Sequence, residues 1–361
     1  MLLVFYSQRA ITKVQAIVLV VVIVVVVVAG VSFIFFRGAP APSRKEIRVG
    51  GATPGSTGYI LGSLVADVLR STFTEYGISF YAVGGATANT KEFIAGGLEL
   101  SFATAGDTAL LYRRELWYKD VSPDVIKPVH TLYLCTALHI IVTTPELKEK
   151  YHLNSWKDLD NKKVCYFSSK YENYHWITRA LDNLGVRWIH VETDWDLVPD
   201  ALKKEDIVAV MISTTGGVPP PWCISVATKL KVVIIPPSSG EISAIEKIGG
   251  SYGWFSTESF KKAGVDVAGL DRTFGVVLAL GWNTNPKYMS EDEVYKLLKE
   301  LIRRKDDLAK MTAYMQEFAA DPIGLQVRGI SLAPDVPVHP GLAKLLKEYG
   351  AWNEAWRIAS G

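Results

Sequence analysis

The sequence predicts an α/β protein in two lobes, carried behind an N-terminal membrane anchor helix. Three observations predict it. Strand-like and helix-like patterns alternate from Glu46 onward in two successive series. Two glycine-rich loops, each between a strand and a helix, share the five residues VGGAT, at Val49–Thr53 and Val83–Thr87. An uncharged apolar run, Ala16 to Phe36, precedes all of it.

The apolar run spans roughly 32 Å as a helix at ~1.5 Å per residue, enough for a bilayer core. A cleavable signal peptide has a shorter apolar core, about 7–15 residues. Pro42 follows the only small-residue stretch that resembles a cleavage site, Ala39 to Ala41. Positive residues flank the run on both sides, Arg9 and Lys13 before it and Arg37, Arg44 and Lys45 after it, so charge bias is nearly silent on orientation. The short leading tail favours an N-inside anchor. The expectation is a single-pass protein of the cytoplasmic membrane, with residues 37–45 as linker and the remaining chain extracytoplasmic.

After the linker, "EIRVGG" reads as a buried strand, and Ile60, Leu61, Leu64, Val65, Val68 and Leu69 fall on one helix face that Gly77 closes. "SFYAVGG" is the next strand, "TANTKEFIAGG" a short helix, "LELSFATAG" a strand, and "DTALLYRREL" a helix capped by Asp107. "YLCTALHIIVTT" is a long apolar strand. The second series runs "KKVCYF", "YHWITRALDNLG", "RWIHVET", "DIVAVMIS", "CISVATKL" and "KVVIIPP", and "TFGVVLALGWNTN" is a further apolar strand. Helices from Ser290 to Ala320 and from Gly341 onward close the chain. Such alternation predicts mostly parallel sheets, with ligands at the carboxyl ends of the strands.

Composition narrows the function. Of 361 residues 49% are apolar, and the net charge is +2 with no Lys/Arg block, so nucleic acid is not an expected partner. The three cysteines are scattered and read as core residues, and the six histidines show no metal-ligand spacing, so neither metal nor cofactor is expected. His139, inside an apolar run, reads as a satisfied core histidine. The first glycine loop lacks the lysine of a phosphate loop, and Gly51, Gly55 and Gly58 are spaced GxxxGxxG rather than GxGxxG. Gly249 to Gly253 matches GxSxG around Ser251, with Asp271 and His339 following in triad order. A helix-like segment precedes this serine and "WFSTES", read as a turn, follows it, whereas a nucleophile elbow needs a strand before and a helix after. What remains is a seat for an anion: glycine lets backbone approach closely, and a helix start offers unpaired N–H groups at a positive dipole end. No catalytic machinery accompanies it.

These motifs resemble those of the TAXI family of solute receptors, the binding proteins of one branch of TRAP transporters. "VGGATPGSTGY" fits the family's glycine/threonine loop ending in an aromatic, and "AVGGATANTKEFIAGGLELSFATAGD" follows its second signature through Gly84, Gly85, Asn89, Glu99 and Asp107. "SWKDLDNKKVCYFSS" is similar to the opening of its second lobe, and "PVHPG", Pro337 to Gly341, to its His-Pro-Gly element. Pro54 and "FSSKYENYHW" depart from the pattern, so no ligand identity is carried over.

The resemblance implies a type II periplasmic-binding-protein fold, no catalysis, and delivery of a small organic acid or amino acid to a TRAP-type membrane subunit. Lobe I is then expected over 46–136 plus 276–361 and lobe II over 137–275, hinged near Leu134–Ile141 and Thr273–Leu280. The expected ligand walls are Thr53, Gly55, Ser56, Thr57, Gly58 and Tyr59; Gly85, Ala86, Thr87 and Asn89; Ala105, Gly106 and Asp107; and, from lobe II, Ser168, Ser169, Lys170, Ser213, Thr214 and Thr215. Lys170 is the cation of these loops, and Asp107 is either a seat for a ligand ammonium or a plain helix cap. An ABC-type partner, a sensory ligand-binding domain and a Ser251 hydrolase are the competing readings.

Overall fold

Glu46–Gly51 forms the first strand, β1, and buries Ile47 and Val49 on one side while Glu46 stays exposed. The computed structural model describes residues 44–360, so the run Ala16 to Phe36 lies outside the described residues. No described helix is long and apolar enough to cross a membrane. The other strands are β2 (Gly77–Ala82), β3 (Ser101–Thr104), β4 (Val129–Thr143), β5 (Lys163–Cys165), β6 (Ile189–Val191), β7 (Ala209–Thr215), β8 (Val233–Ile234), β9 (Tyr252–Ser256) and β10 (Arg272–Thr284). The helices are α1 (Thr57–Thr72), α2 (Ala86–Ile94), α3 (Ala105–Arg113), α4 (Pro145–Tyr151), α5 (Glu172–Asn183), α6 (Val198–Lys203), α7 (Pro221–Lys229), α8 (Ser239–Ile248), α9 (Glu258–Lys262), α10 (Glu291–Arg303), α11 (Lys305–Met311), α12 (Gln316–Ala320), α13 (Pro322–Ser331) and α14 (Pro340–Glu348).

Two sheets organise these elements. β1 and β2 pair in parallel, apart from an eight-stranded sheet ordered β3-β10-β4-β7-β5-β6, with β8 added on β4 and β9 on β10. The expectation of mostly parallel sheets is corrected here. β10 runs antiparallel to β3, β4 and β9, and β4 antiparallel to β7 and β8; only β5 pairs in parallel, with β6 and β7. The misreading has a physical cause. β4 is buried along nearly its whole length and β10 along all but Arg272, and a strand covered on both faces reads as one apolar run whichever way its neighbour points.

β4 and β10 are the spine. They pair Val276 with His139 and Leu280 with Cys135, with register shifts just beyond Leu280 and beyond Trp282. The chain leaves this spine after Thr143, builds β5 to β9 and α4 to α9, and returns at Arg272. The lobe boundaries expected at 136/137 and 275/276 fall inside β4 and β10.

Local chemistry explains most helix limits. α10 has a capping box, Ser290 accepting from the Glu293 amide and Glu293 reaching back to Ser290, and buries Val294, Leu297, Leu298 and Leu301 at helical spacing. α14 begins at "HPG": His339 Nδ1 accepts from the Gly341 amide, and its Nε2 donates to the Met289 carbonyl. Two expected limits move. α1 ends at Thr72 on Phe73, and Gly77 opens β2 instead of closing the helix. α3 begins at Ala105 with Thr104 as its cap, so Asp107 sits inside the first turn. The segment after Ser251, read as a turn, is β9.

Candidate ligand-binding cleft

The repeated VGGAT loops meet. β1 and β2 are neighbours in register, Gly50 opposite Tyr81 and Gly51 opposite Ala82, so both loops leave the same end of the small sheet. The amides of Val83 and Gly84 donate to the Gly51 carbonyl at 2.9 and 3.2 Å. Asn89, fully buried, completes the join: its Nδ2 donates to the carbonyls of Gly51, Gly84 and Gly85 at 3.1, 2.9 and 3.1 Å. A Cβ on Gly50 would lie 2.1 Å from Asn89 Oδ1 and one on Gly51 2.5 Å from the Phe80 ring, so the glycines of the first copy serve this packing.

Four helices start nearby, and their N-termini differ; α5 begins after Tyr171 with no side-chain cap. α1 is capped by Ser56, whose Oγ accepts from the Tyr59 amide at 3.2 Å. α3 is capped by Thr104, whose Oγ1 accepts from the Asp107 amide at 2.9 Å. α2 starts on Gly85, which has no side chain to give, and no side chain caps it. Its first residues, Ala86, Thr87 and Ala88, line a cavity of about 420 Å³, within the size range of small-molecule sites.

That cavity joins the two halves of the expected site. Gly85, Ala86, Thr87, Ala88, Lys91, Phe102 and Thr104 line it from the first half of the chain, and Lys170, Tyr171, Glu172 and Asn173 from the loop and helix start after β5. Leu278 and Leu280 of β10 complete its lining. Of the residues expected from sequence it gathers Gly85, Ala86, Thr87 and Lys170.

The others lie elsewhere. Thr53 and Gly55 are exposed, and Ser56 and Thr57 half-buried. Gly58 is buried against Phe102, whose ring lies 2.8 Å from where its Cβ would be, so Phe102 stands between the first loop and the cavity. Tyr59 packs edge-on against Phe80. The Ser169 amide donates to Glu192, and Ser168 Oγ accepts from the Lys170 amide. The Ser213 amide donates to Cys223 Sγ, and Thr214 shares a hydrogen bond with Ser259; Thr215 pairs with Val218. None of these lines the cavity.

Ala105 and Gly106 are buried in a contact between distant parts of the chain. A Cβ on Gly106 would lie 2.3 Å from Ser251 Oγ and 2.8 Å from Trp176 Nε1. The close approach this glycine permits is to Trp176 of α5 and to Ser251, just before β9. The same contact buries the serine of the GxSxG match. The Ser251 hydroxyl is buried with no hydrogen-bond partner among the described residues, His339 spends both ring nitrogens on backbone, and Asp271 is exposed and bonded to Lys261.

Asp107 is fully buried and fully engaged. Its Oδ1 accepts from Thr87 Oγ1 at 2.8 Å, and its Oδ2 from Thr90 Oγ1 at 2.9 Å and Tyr118 OH at 2.6 Å. Burial pushes its carboxyl up and these hydroxyls oppose the shift. Both of its oxygens are taken up from within, and the side chain does not line the cavity.

Glu172 is the residue that sequence reasoning missed. It is 6% exposed and lies at the start of α5. Its Oε2 accepts from Thr104 Oγ1 at 2.7 Å, across the cleft, and its Oε1 has no partner among the described residues. Burial, helped by the charge of Asp107, pushes its carboxyl up to about 8. The folded state therefore holds the proton more tightly than the unfolded chain. The stabilisation is complete below the ordinary value of 4.5 and is lost as pH rises through about 8. Unfolding free energy is expected to fall by a few kcal/mol across that window, and Glu172→Gln to flatten the profile; equally steep urea-denaturation profiles for both proteins would refute this. In sequence Glu172 is one acidic residue at a helix start, a position that dipoles alone favour.

Behind Tyr171 stands an aromatic cluster. Phe167 touches the rings of His139, Tyr166, Tyr171, Trp195 and Trp222, and Trp195 stacks on Trp222 with centroids 3.9 Å apart. His139 shares a hydrogen bond with Tyr166 OH at 2.9 Å and is held neutral by burial, its pKa lowered to about 3. It is a satisfied core histidine.

No family model matches the sequence, and no curated protein matches it. Among solved structures the chain is similar to MatC from Rhodopseudomonas palustris with bound malate, at 15% identity and a TM-score of 0.48, covering 81% of this chain and 97% of that one. It is also similar to the periplasmic aliphatic sulphonate binding protein SsuA from Escherichia coli, at 12% identity and a TM-score of 0.43, covering 85% and 91%. Both TM-scores lie below 0.5.

Proposed function

We propose that residues 46–361 are a two-lobed solute receptor of the TAXI type, which holds a small carboxylate-bearing solute between its lobes and delivers it to a TRAP-type membrane subunit. Lobe I is residues 46–136 plus 276–361 and lobe II residues 137–275, with the crossing strands β4 and β10 as the hinge. The protein is held at the outer face of the cytoplasmic membrane by its N-terminal apolar run, and it carries out no chemistry on the solute.

One observation carries the reading. The start of α2, like that of α5 across the cavity, has no side-chain cap, and its first residues line a cavity bordered by Lys91 and Lys170. Backbone amides at a helix start, with the dipole behind them, hold a carboxylate without a dedicated cation. Phe102, Leu278 and Leu280 supply an apolar floor for a short carbon chain.

A thermal-shift screen of the protein against small carboxylic and amino acids tests it. A solute at ~100 times its Kd is expected to add about 2.7 kcal/mol of apparent stability. A panel without one stabilising acid would overturn the proposal.

A further inference from the structure

The cleft places two buried carboxyl groups side by side and treats them unequally. Asp107 receives three hydroxyl donors, from Thr87, Thr90 and Tyr118. Glu172 receives one, from Thr104, on Oε2 alone. The same threonine hydroxyl accepts from the Asp107 amide, so the two carboxyls share a hinge of hydrogen bonds. Two adjacent buried carboxylates cannot both ionise cheaply, and the charge settles on the one with more donors. That one is Asp107. The proton stays on Glu172, and with Oε2 already accepting from Thr104 it belongs on Oε1, the buried oxygen without a partner among the described residues.

Glu172 lines the same cavity as the uncapped start of α2. We propose that Glu172 binds as a carboxylic acid, donating its Oε1 proton to an oxygen of the anionic solute seated on the amides of Ala86 to Ala88. A neutral acid is the form in which a glutamate serves an anion site: it adds a donor and brings no repulsive charge. Ionisation would turn the donor into an anion facing an anion. Solute and proton are therefore held together, and the receptor releases its solute as Glu172 deprotonates. The raised carboxyl, at about 8, sets where this happens. The inference rests on the anion-receptor reading above.

The other charged and titratable groups around Glu172 do not mimic this behaviour. Asp107 and Tyr118 are tied to each other, Tyr133 is buried with its hydroxyl pushed further up, and Lys91 and Lys170 border the cavity on α2 and on the loop before α5. His175, three residues further along α5, donates to the Ser169 carbonyl and is pushed down by burial.

The test uses the purified full-length chain and two minimal probes, acetate and methylammonium, titrated between pH 7 and 9.5, where neither probe changes charge appreciably. Acetate binding is expected to weaken about thirtyfold over that range, the loss of one proton with a pKa near 8. Glu172→Gln is expected to give a flat acetate profile, and methylammonium to compete for nothing. Infrared difference spectra of the unliganded parent against Glu172→Gln provide a reading independent of affinity: a protonated-carboxyl band is expected at pH 7 and its disappearance at pH 9.5. Acetate affinity that does not change with pH, or no such band at pH 7, would overturn the role of Glu172 while leaving the receptor intact. Methylammonium binding that strengthens with pH would overturn it in favour of a carboxylate seat for a cation. Acetate that binds at no pH would overturn the receptor reading itself.

Discussion

Asp107→Ala is expected to lower the free energy of unfolding by about 3–5 kcal/mol, since three buried hydroxyls lose their acceptor at about 1–3 kcal/mol each before relaxation. Thr87 and Thr90 come from α2 and Tyr118 from beyond α3, so this carboxylate fastens the wall of the cleft to the helix beside it. Thr90→Val removes a single donor and should cost about 1 kcal/mol. The same substitution at Asp107 removes the charge that helps hold Glu172 protonated, so it should also shrink the pH window over which stability declines. Urea denaturation at pH 5, 7 and 8.5 measures both effects. A loss below about 1 kcal/mol at every pH would mean that the hydroxyls find other partners and that Asp107 does not organise the cleft.

Ala86→Pro is expected to weaken solute binding roughly ten- to hundredfold while leaving the fold intact. Ala86 is the first residue of α2, where proline is accepted because the missing amide has no helical partner. Gly85 before it has φ −66° and ψ 176°, a conformation proline permits in its predecessor. The substitution thus deletes one amide donor and nothing else. A hydrogen bond to a charged group is worth about 1.5–3 kcal/mol, which gives the expected range of affinity. Thr57→Pro does the same at the start of α1, behind a Ser56 with φ −83° and ψ 161°. Calorimetry on the two variants, with any acid that stabilises the parent, decides between the loops. Binding lost in Thr57→Pro and kept in Ala86→Pro would put the seat in the first glycine loop and sink the present assignment.

The two loops show how far sequence reading reaches. Both were legible as strand-to-helix turns with bare amides, because glycine, threonine and a following helical stripe are properties of contiguous residues. Which loop faces the cavity was not legible. Phe102, a strand residue some fifty positions from the first loop's start, packs on Gly58 and screens that loop, and in sequence it is one apolar residue among many. Lys170 was visible as a cation in a loop; its neighbour Glu172 was not visible as a donor, because a carboxyl becomes one only when burial and a second carboxyl hold its proton.

By itself the sequence determined the alternation of strands and helices, the two glycine loops between strand and helix, and the buried run of β4 and β10. These depend on side-chain period, turn chemistry and local hydrogen bonds. Only the tertiary structure decided that the central strands run antiparallel, that Asn89 ties the two glycine loops together, that Ser251 and Trp176 close over Gly106, and that Asp107 and Glu172 share one hydroxyl. Each of those is a meeting of residues distant in the chain. A buried apolar strand reads the same in either direction, and a carboxyl reads the same in water or in a core, until its neighbours are in place.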